Sequence, residues 1–74
     1  MTTFNFEDGN GPVPAHQHSN GGGWVEDTAY VDVAAYIGPD ARVTGNAQVF
    51  GNARVTGNTW VSGNAQVTGN TWVS

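Results

Sequence analysis

Valine or isoleucine recurs at every sixth position from residue 25 to the end of the chain. The sequence thus divides into eight hexads, and position five of each is alanine or threonine. An α-helix would spread residues six apart around its axis, whereas this period fits a short strand plus a corner, three per coil of a parallel β-helix. The hexads read VEDTAY (25–30), VDVAAY, IGPDAR, VTGNAQ, VFGNAR, VTGNTW, VSGNAQ and VTGNTW (67–72), followed by Val73 and Ser74.

The period also predicts which side chains point inward. Three hexads make one coil, adjacent coils lie about 4.8 Å apart, and eight hexads give about two and two-thirds coils. Position one faces inward and its two neighbours face outward, because side chains alternate along a strand. The predicted inward columns are Val25/Val43/Val61, Val31/Val49/Val67 and Ile37/Val55/Val73, with the small residues of position five in the corners.

Each corner is expected to contain one residue with left-handed backbone. Position three is glycine in five hexads but Pro39 in another, and proline cannot adopt a positive φ. Position four is asparagine or aspartate in the last six hexads, and these residues tolerate the left-handed region well. We therefore expect position four to be left-handed, with stacked asparagine amides bonding between coils. The first two hexads lack this pattern, so their corners must turn differently.

The V-x-G-N-A-x repeat resembles the hexapeptide-repeat family over residues 25–74. The resemblance implies a left-handed coil, which the spacing alone does not show. Together with the leader DGNGPVPAHQHSNGGGW, the repeat is also similar to small phage and prophage β-helix proteins. The expected fold is an all-β, left-handed parallel β-helix at residues 24–74, after an irregular leader or cap at residues 1–23 with a glycine-rich joint at residues 20–23. Three apolar residues are available to cover the first coil: Phe4, Phe6 and Val13.

Two outward columns place an arginine between two aromatic side chains. At this spacing a guanidinium can stack on the rings, and Trp, Tyr and Arg are enriched at protein-binding hot spots. These columns therefore either staple the coils together or form a protein-binding face. The first column is Trp24, Arg42 and Trp60, and the second column is Tyr36, Arg54 and Trp72. The third column, Tyr30, Gln48 and Gln66, has Asp32, Phe50 and Thr68 beside it.

The last hexads are expected to leave an open strand edge. Solenoids need capped ends, and an open edge with an apolar cross-section invites pairing. We expect two C-terminal coils to dock end to end about a twofold axis as a homodimer, with a host protein as the alternative occupant. The residues expected there are Val61, Val67, Thr71, Trp72 and Val73.

Composition restricts the function further. The 74 residues carry six acidic and two basic side chains, a net charge of −4, and neither lysine nor cysteine. This charge argues against direct nucleic-acid binding, and the lack of cysteine excludes disulfides and Cys-based zinc sites. No apolar run is long enough to span a membrane and residues 1–13 do not resemble a secretory signal. We therefore expect a cytoplasmic protein, in the host cytoplasm if it is phage-encoded.

His16 and His18 are the weak metal candidates. In an extended segment both rings fall on one side, and Glu7 or Asp8 offers a third zinc ligand. The alternative is two exposed histidines in a loop. The acyltransferases and carbonic anhydrases of the resembled family need histidines on or between the coils, and no histidine follows position 18. Neither an enzyme nor a cofactor is expected.

The resemblance and the small size point to a non-catalytic module that binds proteins and itself, as a phage-encoded inhibitor of a host defence protein, in the manner of an anti-CRISPR protein. The alternative is a structural or assembly module of a phage particle. A more remote alternative is a remnant of a hexapeptide acyltransferase. An inhibitor should form a small discrete oligomer with an exposed aromatic face, whereas a structural module should assemble further.

Overall fold

The computed structural model describes residues 2–6, 9 and 11–73, and every regular element there is a β-strand. The first three strands are β1 (Thr3–Asn5), β2 (Pro12–Gln17) and β3 (Trp24–Glu26). Short strands then begin at every sixth residue: β4 (Tyr30–Val31), β5 (Tyr36–Ile37), β6 (Arg42–Val43), β7 (Gln48–Val49), β8 (Arg54–Val55), β9 (Trp60–Val61), β10 (Gln66–Val67) and β11 (Trp72–Val73). The prediction of an all-β chain is confirmed for these residues.

The repeat strands form three parallel ladders, ordered β3–β6–β9, β4–β7–β10 and β5–β8–β11. Val25 pairs with Val43 and Val43 with Val61, so paired residues stand eighteen apart, as the six-residue period predicts. Backbone hydrogen bonds continue each ladder beyond its strands, as from the N–H of Asp32 to the carbonyl of Val49 at 2.8 Å. The prediction of a parallel β-solenoid is therefore confirmed.

The core lies between the three ladders. Its position-one side chains are Val25, Ile37, Val43, Val49 and Val55, all fully buried. The corner alanines Ala35, Ala41, Ala47 and Ala53 are fully buried as well. Alternation along each strand directs position one inward, and burying a valine contributes about 1.5–3 kcal/mol. Alanine recurs at position five because this buried corner leaves space for only a small side chain.

The corners turn through glycine at position three. Gly45, Gly51, Gly57, Gly63 and Gly69 have φ between 65° and 68°. The prediction that position four is left-handed is wrong for these hexads, because glycine, which lacks a Cβ, adopts a positive φ at lower cost than asparagine. The corner that contains Pro39 cannot use the same turn. Bonding between stacked corners uses the main chain, as where the N–H of Asn46 donates to the carbonyl of Gly63 at 3.0 Å.

Carboxylates bind the corners of the first two hexads, which lack the Gly-Asn pair. Glu26 Oε1 accepts a hydrogen bond from the N–H of Gly45 at 2.9 Å. Asp32 Oδ2 accepts one from the N–H of Gly51 at 3.3 Å, and its Oδ1 accepts one from the N–H of Ala34 at 3.3 Å. Each carboxylate thus connects an atypical corner to the glycine corner of the next coil.

The leader forms an antiparallel hairpin that extends the first ladder. β1 pairs with β2, with Phe4 opposite Val13, and β2 pairs antiparallel with β3, with His16 opposite Val25. The sheet order is β1–β2–β3–β6–β9, so the hairpin covers the edge of β3 that faces away from β6. Phe6 is buried, with 1% of its surface exposed.

The glycine-rich segment at residues 20–23 is hydrogen-bonded to both the N–H and the carbonyl of Ile37 in the solenoid. The N–H of Ile37 donates to the carbonyl of Asn20, and the N–H of Gly23 donates to the carbonyl of Ile37, both at 3.0 Å. A Cβ on Gly23 would lie 2.2 Å from Cγ2 of Ile37, and one on Gly21 would lie 2.2 Å from the Ile37 carbonyl oxygen. Glycine is therefore required here for close approach to β5, beyond any role as a joint.

Candidate protein-binding surfaces

The ladder register assembles both aromatic–arginine columns. In the first column, Arg42 pairs with Trp24 on one side and with Trp60 on the other. In the second column, Arg54 pairs with Tyr36 and with Trp72 in the same way. The two columns lie on different sheets, so they present two separate surfaces.

The first column is partly covered by the hairpin. Phe4 stacks on Trp24, with ring centroids 4.5 Å apart and an angle of 19° between the rings. Cζ of Arg42 lies 4.9 Å from the centroid of Phe4, so its closest ring comes from the leader. Trp24 and Arg42 are half-buried, while Trp60 is 48% exposed. This arrangement favours the interpretation that Trp24 and Arg42 staple the coils together and do not bind a partner.

The second column is the more accessible one. Trp72 is 69% exposed, Arg54 is exposed and Tyr36 is half-buried. Cζ of Arg54 lies 5.4 Å from the Trp72 ring centroid, so the predicted guanidinium–ring stacking is present here. Within residues 2–6, 9 and 11–73, the close contact between a basic side chain and a carboxylate is that of His16 with Asp27. Arg54 therefore has no carboxylate partner among these residues.

A groove of about 530 Å³ runs beside the second column. Its volume lies within the range of pockets that bind small molecules. Asparagine side chains at position four of two stacked corners form one wall, and Asn20 of the leader adds a third amide. The polar and aromatic residues that line the groove are Asn20, Asn52, Asn70, Tyr36, Arg54 and Trp72.

This groove was not predicted from the sequence. The signal for its upper part was present, because Asn52 with Arg54 and Asn70 with Trp72 occupy positions four and six of two hexads that stand eighteen residues apart. Asn20 had no such signal, since its position follows from the bond between its carbonyl and the N–H of Ile37. The leader therefore completes a site that the repeat begins.

The third column connects the coils mainly through its own side chains. The rings of Tyr30 and Phe50 lie 5.3 Å apart, and Nε2 of Gln66 donates to Oε1 of Gln48 at 3.3 Å. These contacts fit a staple between coils.

The two histidines point to different partners. Nδ1 of His16 lies 2.8 Å from Oδ1 of Asp27, with both side chains about half exposed. His18 is buried, and its Nε2 lies 2.7 Å from the carbonyl oxygen of Ala35, to which it donates. The suggested third ligands, Glu7 and Asp8, lie outside the described residues. Among the described residues, no group of three His, Asp or Glu side chains is placed to hold a metal ion.

The open edge is formed by β9, β10 and β11, for which the described residues supply no further strand. In the earlier coils the N–H groups of Asp32 and Phe50 donate to the carbonyls of Val49 and Val67. Thr68 occupies the same position one coil after Phe50, so its N–H faces the open edge. The corresponding N–H groups on the same edge are those of Trp60, Ser62, Gln66 and Trp72.

The predicted edge residues differ in their exposure. Val61 and Val67 are only 4% and 8% exposed, while Val73 is partly buried and Thr71 and Trp72 are exposed. Oγ1 of Thr71 donates to the carbonyl of Thr68 at 2.6 Å. The edge therefore presents backbone groups, Thr71 and Trp72 more than it presents valine side chains.

Comparison with known proteins supports the solenoid and goes no further. Residues 47–63 match the family model described as the YdcK beta solenoid repeat. This segment contains β7, β8 and β9, one strand from each ladder. No curated protein sequence and no solved structure matches the chain significantly. None of the described residues forms a helix long and apolar enough to cross a membrane.

Proposed function

We propose that this protein is a non-catalytic, protein-binding β-solenoid whose partner surface is the second column and the adjoining groove. The observation that carries the proposal is the exposure of Trp72 beside Arg54, a guanidinium without a carboxylate partner among the described residues. Tryptophan and arginine dominate binding hot spots because they combine large contact area with directional donors. The first column supports the proposal less, since Phe4 already occupies part of it.

The proposal includes self-association through the open edge as a homodimer. Three adjacent strand edges carry unpaired N–H groups within the described residues, and such edges pair readily with further strands. Two copies that meet about a twofold axis would each satisfy the edge of the other. Thr71 and the main chain of Trp72 would lie at this contact, above the buried side chains of Val61 and Val67, while the Trp72 side chain stays on the second column.

The more detailed features of the fold and function rest on the sequence resemblance alone. We propose a left-handed coil of the hexapeptide-repeat type with about two and two-thirds coils. Inhibition of a host defence protein, phage origin and a cytoplasmic location stay predictions, as does the alternative of a phage-particle module.

Selection from a random peptide display library tests the binding surface. Wild type and Trp72→Ala are used as parallel baits, with Trp60→Ala as the matched control on the first column. We expect peptides that bind wild type and Trp60→Ala but not Trp72→Ala. Peptides that bind all three baits equally, or no enrichment on wild type, would overturn the second column as the partner surface.

Light scattering after size exclusion tests self-association across a hundredfold range of concentration. Asp at Val67 would place a charge in the core, so Thr68→Pro is the sharper variant. It removes one N–H from the open edge, where proline is tolerated, and Thr68→Ala keeps that N–H. We expect a dimer for wild type and Thr68→Ala and a monomer for Thr68→Pro. A wild-type monomer at all concentrations would overturn the dimer, and larger, growing assemblies would favour the structural module.

A further inference from the structure

The groove beside the second column includes one departure from the repeat. Position four of the stacked corners here is Ala34, Asn52 and Asn70 in successive coils. Ala34 lines the groove with a methyl group where the later hexads have an amide. The amides of Asn20, Asn52 and Asn70 line it together with Arg54 and Trp72.

The groove carries a positive charge on a negatively charged protein. Among the described residues, Arg54 is the charged side chain that lines the groove, and no carboxylate lines it. Among the described carboxylates, those of Glu26, Asp27 and Asp32 are bonded to Gly45, to His16, and to Ala34 and Gly51, respectively, while Asp40 is exposed and does not line the groove. Because none of these four acids pairs with Arg54, its guanidinium is available to a charge from outside the described residues.

The stacking of Arg54 fixes what it can bind. Cζ of Arg54 lies over the ring of Trp72 at 5.4 Å, and a guanidinium in such a contact can still donate from its planar N–H groups. Two such donors match the two oxygens of a carboxylate, and this charge-assisted pair is strong and directional. Asparagine amides offer a donor and an acceptor each, which matches the N–H and C=O of a peptide group.

We infer that this groove binds an extended peptide segment through one aspartate or glutamate side chain held by Arg54. The amides of Asn52 and Asn70 bond to the peptide backbone, and Trp72 shields the ion pair from water. The inference rests on the proposed function and names the chemistry of the partner.

Two other ligand chemistries fit less well. A phosphate-rich polymer needs several cations along its path, and this groove has one. A neutral saccharide would use the amides and Trp72 but would leave the guanidinium without a counter-charge. Inorganic phosphate and maltose represent these two chemistries as probes in the test.

Titration followed by two-dimensional ¹H–¹⁵N NMR provides the test, because side-chain N–H signals report on Arg54, Asn52, Asn70 and Trp72 directly. The probes are an acetylated and amidated Gly-Ser-Glu-Ser-Gly peptide, the same peptide with glutamine for glutamate, inorganic phosphate and maltose. We expect the glutamate peptide to shift these signals and the glutamine peptide to bind at least about tenfold more weakly.

Variants tie the result to Arg54. Arg54→Gln should weaken the glutamate peptide about tenfold and Arg54→Lys should recover only part of that loss, since lysine keeps the charge without the planar fork. Arg42→Gln on the first column is the matched control and should bind like wild type. The backbone spectrum of each variant shows directly that the fold is retained.

Equal binding of the glutamate and glutamine peptides, no change with Arg54→Gln, or shifts caused by phosphate or maltose in place of the peptide would overturn the inference. Trp72-dependent peptides without acidic residues in the display selection would also overturn it, while leaving the proposed binding surface intact. Loss of all Trp72-dependent peptides would instead remove the proposed function itself.

Discussion

At the scale of single residues, glycine at position three meets two physical requirements, a positive φ and close approach to the next corner. Some of these glycines meet both requirements and others only the first. All five repeat glycines have a positive φ, which costs any other residue about 1–2 kcal/mol. Gly45 also stacks closely on the next corner, because a Cβ there would lie 3.1 Å from the nitrogen of Gly63. Gly57 has the same φ but no atom within 4 Å of the corresponding Cβ position. The two glycines therefore allow backbone strain and close approach to be measured separately.

We expect Gly57→Ala to lower the free energy of unfolding by about 1–2 kcal/mol, from the left-handed backbone alone. Gly45→Ala should cost about 1–3 kcal/mol more, since its methyl group meets main-chain atoms that cannot move aside. Urea denaturation of both variants against wild type measures the difference. Equal losses for the two variants would show that stacking distance at the corner is not a constraint.

Asp32 provides a second prediction at this scale. Its carboxylate accepts hydrogen bonds from Ala34 and Gly51, so Asp32→Ala should lose about 1–3 kcal/mol of stability. Asp40→Ala is the control, because Asp40 is exposed and the described residues supply no hydrogen bond to its carboxylate. The two unfolding midpoints are compared at constant pH. A loss as large for Asp40→Ala would assign the effect to net charge and not to the corner bonds.

At the scale of elements, the hairpin of β1 and β2 stabilises the first coil by completing its sheet. Phe6 is the largest fully buried side chain of the leader, and its ring meets that of Phe4 edge-on at 4.9 Å. Phe4 in turn stacks on Trp24, so the hairpin and β3 share one aromatic cluster. Removal of Phe6 should therefore affect both elements.

We expect Phe6→Ala to cost about 3–5 kcal/mol and to expose the hairpin first. Hydrogen exchange should accelerate at the amides of His18 and Gly23, which bond to Gly23 and Ile37, more than at the amide of Phe50, which bonds to Val67. Phe50→Ala, at a half-buried ring on the third column's sheet, is the control. Uniform acceleration at all three amides would mean that leader and coils unfold as one unit.

The repeat elements were predictable from the sequence and the leader was not, for a physical reason. A six-residue period fixes both the strand positions and the eighteen-residue register, so Val25, Val43 and Val61 follow from counting. The leader has no period, and its antiparallel pairing with β3 depends on contacts such as Phe4 with Trp24 that spacing does not encode. The corner prediction was wrong because Pro39 is an exception: the other five of the last six hexads have glycine at position three, and that glycine takes the positive φ. The groove was not predicted because it is formed by Asn20 of the leader together with amides of the repeat, and the repeat does not determine where the leader lies.

At the scale of the whole molecule, stability and assembly are coupled. The last coil of the core is covered on one side only by the described residues, as the exposed Ala65 and Thr71 show against the buried Ala47 and Ala53. Backbone groups at the open edge would gain partners in a dimer, so dimerisation should stabilise the folded state by mass action. Stability should therefore depend on protein concentration.

For wild type we expect the Tm to rise by about 3–5 °C for each tenfold increase in protein concentration, the slope expected of a small dimer that unfolds to monomers. Thr68→Ala should keep this slope because its N–H still faces the edge, whereas the Tm of Thr68→Pro should not change with concentration. Circular dichroism at several concentrations measures the Tm of all three proteins.

A constant Tm for wild type with a dimer mass in light scattering would mean that the dimer contact lies away from the coils that limit stability. A concentration-dependent Tm that survives in Thr68→Pro would move the contact from the open edge to the exposed second column, where Trp72→Ala should then abolish it.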